Sequence, residues 1–184
     1  MKLRLKLDGR LLYIVIIALL SNIIVSTSTF AADNTYRLST GDHIKITVYG
    51  EDDLTLEATL DDDGVINYPF LGEVAIEGMT INTLERYIHK HLKGDYLISP
   101  NVNVNIEEYR PFYINGQVKK PGGYPYQPGL TIQRAISLAG GFTERASKKN
   151  TFIVHEKQSE KRVRTTPHMK VKPGDIITVE ESFF

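Results

Sequence analysis

Cysteine is absent from this chain of 184 residues, and its absence excludes several kinds of site at once. No disulfide can stabilise the fold, and no thiolate can bind zinc or an iron–sulfur cluster. A lipid anchor attached to a cysteine is excluded as well. Tryptophan is also absent, so the aromatic side chains are those of tyrosine and phenylalanine. The fold must therefore be stabilised by its apolar core.

The sequence also lacks the common catalytic and cofactor motifs. It contains no Gly-x-Gly-x-x-Gly run, no phosphate-binding Walker sequence and no Gly-x-Ser-x-Gly elbow. His89 and His91 are two residues apart on a predicted helix, so they face different directions and cannot share a metal ion. The other histidines have no ligand spacing. The sequence thus predicts no catalytic residue, no metal site and no cofactor, and we expect a protein that is not an enzyme.

The run Asp61-Asp62-Asp63-Gly64 resembles the start of a calcium-binding loop. The later ligand positions of such a loop are held by Val65 and Pro69, which offer no side-chain oxygen. An Asp-Gly pair between alternating segments is typical of a tight hairpin turn. We therefore predict a hairpin turn here rather than a calcium site.

Residues 1–31 have the pattern of a bacterial signal peptide. Basic residues precede an apolar run from Leu11 to Leu20, and Thr29-Phe30-Ala31 offers small residues at the −3 and −1 positions of a cleavage site. A retained membrane anchor is the alternative, but the run is broken by Ser21-Asn22, and a membrane-spanning helix needs about 20 apolar residues. We predict cleavage after Ala31, export to the periplasm, and a mature protein that is not a lipoprotein.

A formal net charge of zero hides two halves of opposite sign. Residues 33–109 contain 15 acidic and 5 basic residues, a net charge of −10, whereas residues 110–184 contain 13 basic and 6 acidic residues, a net charge of +7. The change falls at Arg110-Pro111, so we predict one domain over 32–109 and a second over 110–184. The basic residues 157–172 are interleaved with glutamates and lack regular aromatic neighbours, which argues against nucleic acid as a partner.

Hydrophobic periodicity predicts an α+β fold in both domains. In the first, alternation predicts strands around 44–48, 54–56, 65–66, 74–76 and 102–106. Its helix ends before Gly94 and has an apolar face formed by Ile81, Leu84, Ile88 and Leu92. In the second, strands are expected around 112–118, 152–154, 163 and 176–179. Its short helix has an apolar face formed by Ile132, Ala135, Ile136 and Ala139.

Glycine, proline and aspartate mark the predicted turns. Gly140-Gly141 is expected to end the short helix, and the turn after the strand at 112–118 is placed at Pro121-Gly122. Asn115-Gly116 by itself is typical of a hairpin turn, but we interpret Gly116 as a bulge or a close-packing position. The residues assigned to turns are Gly41, Asp42, Gly64, Pro121, Gly122, Gly140, Gly141, Pro173, Gly174 and Asp175.

Two of these turns share one pattern, since 38–44 and 171–177 both have an apolar residue, two further residues, Gly-Asp and then a strand. One explanation is that the same good turn was used twice, with glycine supplying unusual backbone angles and aspartate bonding the following backbone. A duplication is the other explanation.

Tyrosine is the residue type that stands out, with ten in the chain. Aromatic rings stack on the C–H faces of sugars and a phenol adds a hydrogen bond, so glycan contact is one interpretation; packing in strands and interfaces is the other. The tyrosines nearest the predicted domain boundary are the candidate contacts: Tyr109, Tyr113, Tyr124 and Tyr126.

Taken together, the ordered motifs resemble the outer-membrane polysaccharide export proteins. The first domain is similar to the polysaccharide export domain of that family at residues 36–48, 63–72, 78–80 and 100–104. The second is similar to a soluble-ligand-binding β-grasp (SLBB) domain at residues 114–118, 121–124, 131–141 and 171–179. The resemblance implies a small export domain of strands plus one helix, followed by a β-grasp domain.

The resemblance also implies a function. It predicts a periplasmic component, associated with the outer membrane, of a capsule or exopolysaccharide export machine. Subunits would form a homo-oligomeric ring, a passive conduit or collar for polysaccharide between an inner-membrane co-polymerase and a separate outer-membrane barrel. The chain departs from the archetypal members in lacking the lipoprotein cysteine, further β-grasp copies and a C-terminal amphipathic helix. Phe183 and Phe184 are expected to be core or interface residues.

Two other functions are left open. A monomeric periplasmic glycan-binding module would bind polymer without forming a conduit. A polysaccharide-modifying enzyme would need a pair of acidic groups for acid–base catalysis, and no such pair stands out.

Overall fold

Ten strands and two α-helices surround two apolar cores in the part of the chain that the structure, a computed structural model, describes: residues 36–156 and 161–182. The predicted α+β fold class is confirmed. The predicted signal peptide, residues 1–31, and the residues Phe183 and Phe184 lie outside the described residues. In the described part of the chain, no helix is both long and apolar enough to cross a membrane.

Residues 38–104 build the first core. Its sheet is antiparallel with the order β2-β1-β5, formed by β1 (His43–Val48), β2 (Leu56–Thr59) and β5 (Val102–Glu108). A short 3₁₀ helix (Asp52–Leu54) connects β1 to β2, and β3 (Val65–Tyr68) pairs with β4 (Gly72–Ala75) in a separate hairpin. Alternation within β1 buries Ile44, Ile46 and Val48, as the sequence predicts.

Helix α1 (Ile81–Leu92) covers this core with the predicted face, because Ile81, Leu84, Ile88 and Leu92 are all buried. Thr80 caps the start of the helix: its side chain accepts a hydrogen bond from the Thr83 amide and so satisfies one of the free N–H groups of the first turn. The helix ends as predicted before Gly94, which has a positive φ of 99°.

A five-stranded mixed sheet forms the second core with helix α2 (Ile132–Leu138). Its strands are β6 (Phe112–Gly116), β7 (Gly122–Tyr124), β8 (Ala146–Val154), β9 (Arg162–Arg164) and β10 (Ile176–Glu181). Their order is β7-β6-β10-β8-β9, with β10 parallel to β6 and the other neighbours antiparallel. The predicted face of α2 packs on the sheet, and the residues of this core include Phe112, Ile114, Ala135, Ile136, Ile153, Ile177 and Val179.

The end of α2 is fixed by two successive glycines. Gly140 and Gly141 both have positive φ angles, of 78° and 87°. The Gly141 amide bonds the Ile136 carbonyl and the Gly140 amide bonds the Ser137 carbonyl. This double closure satisfies carbonyls that the helix leaves free, and only glycine adopts such angles without strain. The predicted helix stop is thus confirmed.

Three local predictions need correction. Asp61–Gly64 is a turn, but it does not make a hairpin, because β2 pairs with β1 whereas β3 pairs with β4. Gly122 does not belong to the turn predicted at Pro121-Gly122. It is the first residue of β7 and lies opposite Ile114, so the connection between β6 and β7 consists of residues 117–121. Leu54 belongs to the 3₁₀ helix rather than to a strand.

Gly116 is a close-packing position, as predicted. A Cβ atom placed there would lie 2.1 Å from the Val179 carbonyl oxygen, and the φ of Gly116 is 83°. Strand β10 can therefore approach β6 only because position 116 has no side chain.

Candidate functional site: an arginine and tyrosine cluster between the two cores

Arg110 lies between the two cores, in the connection between β5 and β6, with only 8% of its surface exposed. Its Nη1 atom is 3.1 Å from Asp42 Oδ2 and donates to Tyr36 Oη at 2.6 Å. Its Nη2 atom donates to Glu156 Oε2 at 2.7 Å, with Nε at 3.1 Å from the same oxygen. We call these four residues the Arg110 junction. It joins Asp42, in the turn before β1, to Glu156, which follows β8.

Asp42 is fully buried, and both oxygens of its carboxylate accept hydrogen bonds. The Arg110 backbone amide donates to Oδ1 at 3.0 Å, and the Ser39 amide donates to Oδ2 at 2.9 Å. The Tyr36 hydroxyl lies 2.6 Å from both oxygens. Because a buried charge is tolerated only when it is paired and hydrogen-bonded, this cage of donors explains how a carboxylate can lie inside the protein.

The second Gly-Asp turn, at Gly174-Asp175, lies next to the Arg110 junction. Asp175 is also buried, and its Oδ2 accepts the Lys172 amide at 2.7 Å, as Asp42 accepts the Ser39 amide. Its Oδ1 is 2.7 Å from Nδ1 of His155, the neighbour of Glu156. In both turns the aspartate carboxylate therefore accepts a hydrogen bond from the amide three residues before it. The predicted hydrogen bond to the following backbone is wrong. A Cβ on Gly174 would lie 3.0 Å from Arg110 Nε.

Tyrosine rings extend the junction. Tyr36 packs edge-on against Tyr109 with ring centroids 5.0 Å apart, and Tyr109 packs edge-on against Tyr126 at 5.3 Å. Such T-shaped contacts suit the charge distribution of aromatic rings. The Arg110 guanidinium lies 5.7 Å from the centroid of the Tyr36 ring, which adds a cation–π contact.

Burial and charge shift the ionisation of the cluster. Burial, reinforced by the hydrogen bond to Asp42, raises the pKa of Tyr36 far above its ordinary value, and burial also raises the pKa of Tyr109. Burial works against the charge of Arg110, but the neighbouring oxygens of Tyr36, Asp42 and Glu156 outweigh it, so the pKa of Arg110 is raised. The arginine is therefore a permanent cation, and the phenols of Tyr36 and Tyr109 are neutral near neutral pH.

The four candidate tyrosines separate into three environments. Tyr109 and Tyr126 belong to the cluster at the junction. Tyr124 packs on Phe112 of the second core, with its hydroxyl bonded to the Lys120 carbonyl. Tyr113 is 45% exposed and lies on the other face of the second sheet. Tyr36 and Arg110 were not among the predicted site residues, although Arg110 stands at the change of charge.

The chemistry of this arrangement is binding between two parts of one chain. Every charged group of the Arg110 junction already has a partner of the opposite sign or a hydrogen bond. Among residues 36–156 and 161–182, no three histidine or acidic side chains are grouped so that they could hold a metal ion.

Comparison with known proteins finds two families and one curated relative. Residues 31–107 match the family described as polysaccharide biosynthesis/export protein, and residues 111–165 match the SLBB domain. The exopolysaccharide production protein ExoF of Rhizobium meliloti (strain 1021) is 28% identical over 137 residues, which are 68% of this chain and 32% of ExoF. The chain thus spans about a third of the length of that relative.

Proposed function

We propose that this chain, which belongs to the outer-membrane polysaccharide export family and carries an export domain followed by one SLBB domain, is a component of a polysaccharide export machine. The tandem of these two domains is the observation that carries the proposal. The similarity to a protein named for exopolysaccharide production supports it further. The cargo in this proposal is a capsule polysaccharide or an exopolysaccharide.

The Arg110 junction supports a role as a subunit with a fixed shape. A ring needs each subunit to present two different patches at a constant angle, because one patch must meet the other patch of its neighbour. A buried and fully paired arginine between the two cores opposes bending at residue 110. We therefore propose a homo-oligomeric ring that acts as a passive conduit or collar.

The proposed place of this collar is the periplasm, on the outer-membrane side. Residues 1–31 would direct export and be removed without lipid attachment, which leaves domains over 32–109 and 110–184. The partners would be an inner-membrane polysaccharide co-polymerase and a separate outer-membrane barrel. No residue is proposed as catalytic, because the buried titratable groups of the junction are occupied by one another.

Deletion of the gene tests the role in export. We expect loss of polymer from the cell surface and its accumulation inside the envelope, with both effects reversed by the wild-type gene on a plasmid. If the deletion strain carries normal amounts of surface polymer, the proposed function is wrong. If polymer reaches the surface with altered chemical composition, the chain acts in modification rather than in export.

Oligomeric state separates the collar from a monomeric glycan-binding module. Light scattering of the purified exported protein should give a mass several times that of one subunit. A monomer at all concentrations that nevertheless binds polymer would favour the glycan-binding module.

A further inference from the structure

The sheet of the second domain has a second face, opposite to α2, that carries two rows of side chains. Strand register places Tyr113, Ile176, Val154 and Arg162 in one row across β6, β10, β8 and β9. The next row contains Asn115, Thr178, Phe152 and Arg164 in the same strand order. We call these eight residues the open face. No helix covers it within residues 36–156 and 161–182.

Apolar side chains remain accessible on the open face. Tyr113 is 45% and Ile176 is 39% exposed, whereas Ile114 and Ile177, their neighbours on the α2 side, are fully buried. In β6 and β10, one side of the strand thus builds the core. The other side presents an aromatic side chain in β6 and an aliphatic side chain in β10 to solvent.

Two arginines lie over a single aromatic ring at the β9 edge of the open face. The guanidinium carbons of Arg162 and Arg164 are 4.3 Å and 5.6 Å from the centroid of the Phe152 ring. Arg162 also donates to Glu180 Oε1 at 2.7 Å, and its side chain stays 53% exposed. Cation–π contacts hold the guanidinium groups close to the sheet. Their forked N–H donors match the geometry of a carboxylate.

The open face combines the groups that an acidic sugar chain needs. A sugar ring has C–H faces, which are attracted to the negative face of an aromatic ring such as Tyr113. Its hydroxyls need partners, which Asn115 and Thr178 offer in the second row. Neighbouring strands are about 4.8 Å apart, close to the length of one sugar unit in an extended polymer. A chain lying across the strands would therefore place successive sugars over successive strands, and its acidic groups would reach the arginines.

We infer that the open face binds an acidic polysaccharide, with sugars stacked at Tyr113 and acidic groups bound by Arg162 and Arg164. The inference rests on the proposed role in polysaccharide export, and adds the surface and the chemical class of the polymer. The acidic residues 33–109 of a second copy would also be attracted to these arginines. A protein partner, however, does not require a ring for stacking at Tyr113 beside the hydrogen-bonding groups of Asn115 and Thr178 on neighbouring strands.

Calorimetric titration of the full-length exported protein tests the inference. The probes are an oligogalacturonate, which carries a carboxylate on each sugar, and a malto-oligosaccharide of equal length, which carries none. We expect the acidic probe to bind at least tenfold more tightly, and rising salt to weaken it. Tyr113→Ala should weaken binding about tenfold. The double variant Arg162→Gln/Arg164→Gln should abolish the preference for the acidic probe.

Matched control variants lie elsewhere on the molecule. Arg134→Gln changes an exposed arginine on α2, on the other side of the sheet, and Tyr49→Ala removes a ring that is 83% exposed in the first domain. Both should bind like the wild type, and thermal melting should show that every variant is folded. Equal affinity for the two probes, or normal binding by the Tyr113 and arginine variants, overturns the inference.

Sedimentation velocity of the arginine double variant addresses the second copy. If the wild type is an oligomer and the double variant sediments as a smaller species, while the affinity of the variant for the acidic probe is unchanged, the open face contacts another subunit and the inference fails. Gene deletion distinguishes a failure of the proposed export function from a failure of the inference about the open face. Normal export after deletion refutes the proposed function, whereas lost export combined with normal glycan binding by the variants refutes this inference alone.

Discussion

Arg110 contacts Asp42 twice, once through its backbone amide at 3.0 Å from Oδ1 and once through Nη1 at 3.1 Å from Oδ2. The two residues are 68 positions apart in the chain, and both are buried. Arg110 therefore connects the turn before β1 to the segment before β6 through main chain and side chain together.

Breaking this pair should strongly destabilise the protein. Asp42→Ala leaves the Arg110 guanidinium buried without its inner partner, and we expect a loss of about 3–5 kcal/mol in the free energy of unfolding. Glu156→Ala should cost less, because the Glu156 side chain is 42% exposed and solvent can replace it. Urea denaturation of both variants measures the difference. Equal losses for the two variants would show that Asp42 is not the dominant partner.

Two glycines with similar φ angles should respond differently to alanine. Gly141 has a φ of 87° with open space around its missing Cβ, so Gly141→Ala should cost only backbone strain, about 1–2 kcal/mol. Gly174 has a φ of 79°, and a Cβ there would lie 2.8 Å from Glu156 Oε2. Gly174→Ala should therefore lower the melting temperature further, since the Arg110–Glu156 ion pair must also shift. If Gly141→Ala is the more harmful, the contact at Gly174 does not matter.

Alkaline pH should destabilise the protein through its buried tyrosines. Burial raises the pKa of Tyr68 to about 12, and its hydroxyl donates to the Leu54 carbonyl at 2.9 Å. The ordinary tyrosine pKa is about 10, so the unfolded chain loses this proton first. Stability due to Tyr68 is thus complete below pH 10, and is lost as the pH rises towards 12, by up to about 1.4 kcal/mol per pH unit.

The variant Tyr68→Phe tests this dependence. It should be less stable than the wild type at pH 8 by about 1 kcal/mol, since one hydrogen bond is lost. Its stability should then fall less steeply between pH 10 and 12. Tyr49→Phe, at an exposed position, serves as the comparison. Identical slopes for wild type and Tyr68→Phe in chemical denaturation across this range would contradict the prediction.

Gly116→Ala should disrupt the second sheet. The added Cβ would lie 2.1 Å from the Val179 carbonyl oxygen, a backbone atom in β10, so the clash cannot be relieved by a side-chain rotation. We expect amide hydrogen exchange to accelerate throughout β6, β8 and β10, while β1 and β5 remain protected. Unchanged protection in β10 would mean that the two strands can move apart at little cost.

Local periodicity predicted much of the fold, and contacts between distant segments account for what was missed. The buried face of α1 and the glycine stop of α2 depend on residues within a few positions of each other, so the sequence alone predicts them. The turn at Asp61–Gly64 was predicted, but the strand that pairs with β3 is β4, which comes after β3 along the chain and not before it. Arg110 was missed as a site residue because its partners Glu156, Asp42 and Tyr36 are 46, 68 and 74 residues away. Likewise, Tyr113 and Tyr124 are both near the boundary, and only strand register places the first on the open face.

The order of strands in the second sheet has a consequence for how the protein is made. Strand β10, with residues 176–181, lies in the middle of the sheet between β6 and β8, although the other four strands of this sheet all precede it along the chain. Until it is available, β6 and β8 have no common neighbour, and Asp175 cannot reach His155. The second core must therefore wait for residues 176–181, whereas the strands and helix of the first core are all available by residue 108. During synthesis or passage through a membrane, the two cores would form in sequence, and the last strand would close the second core.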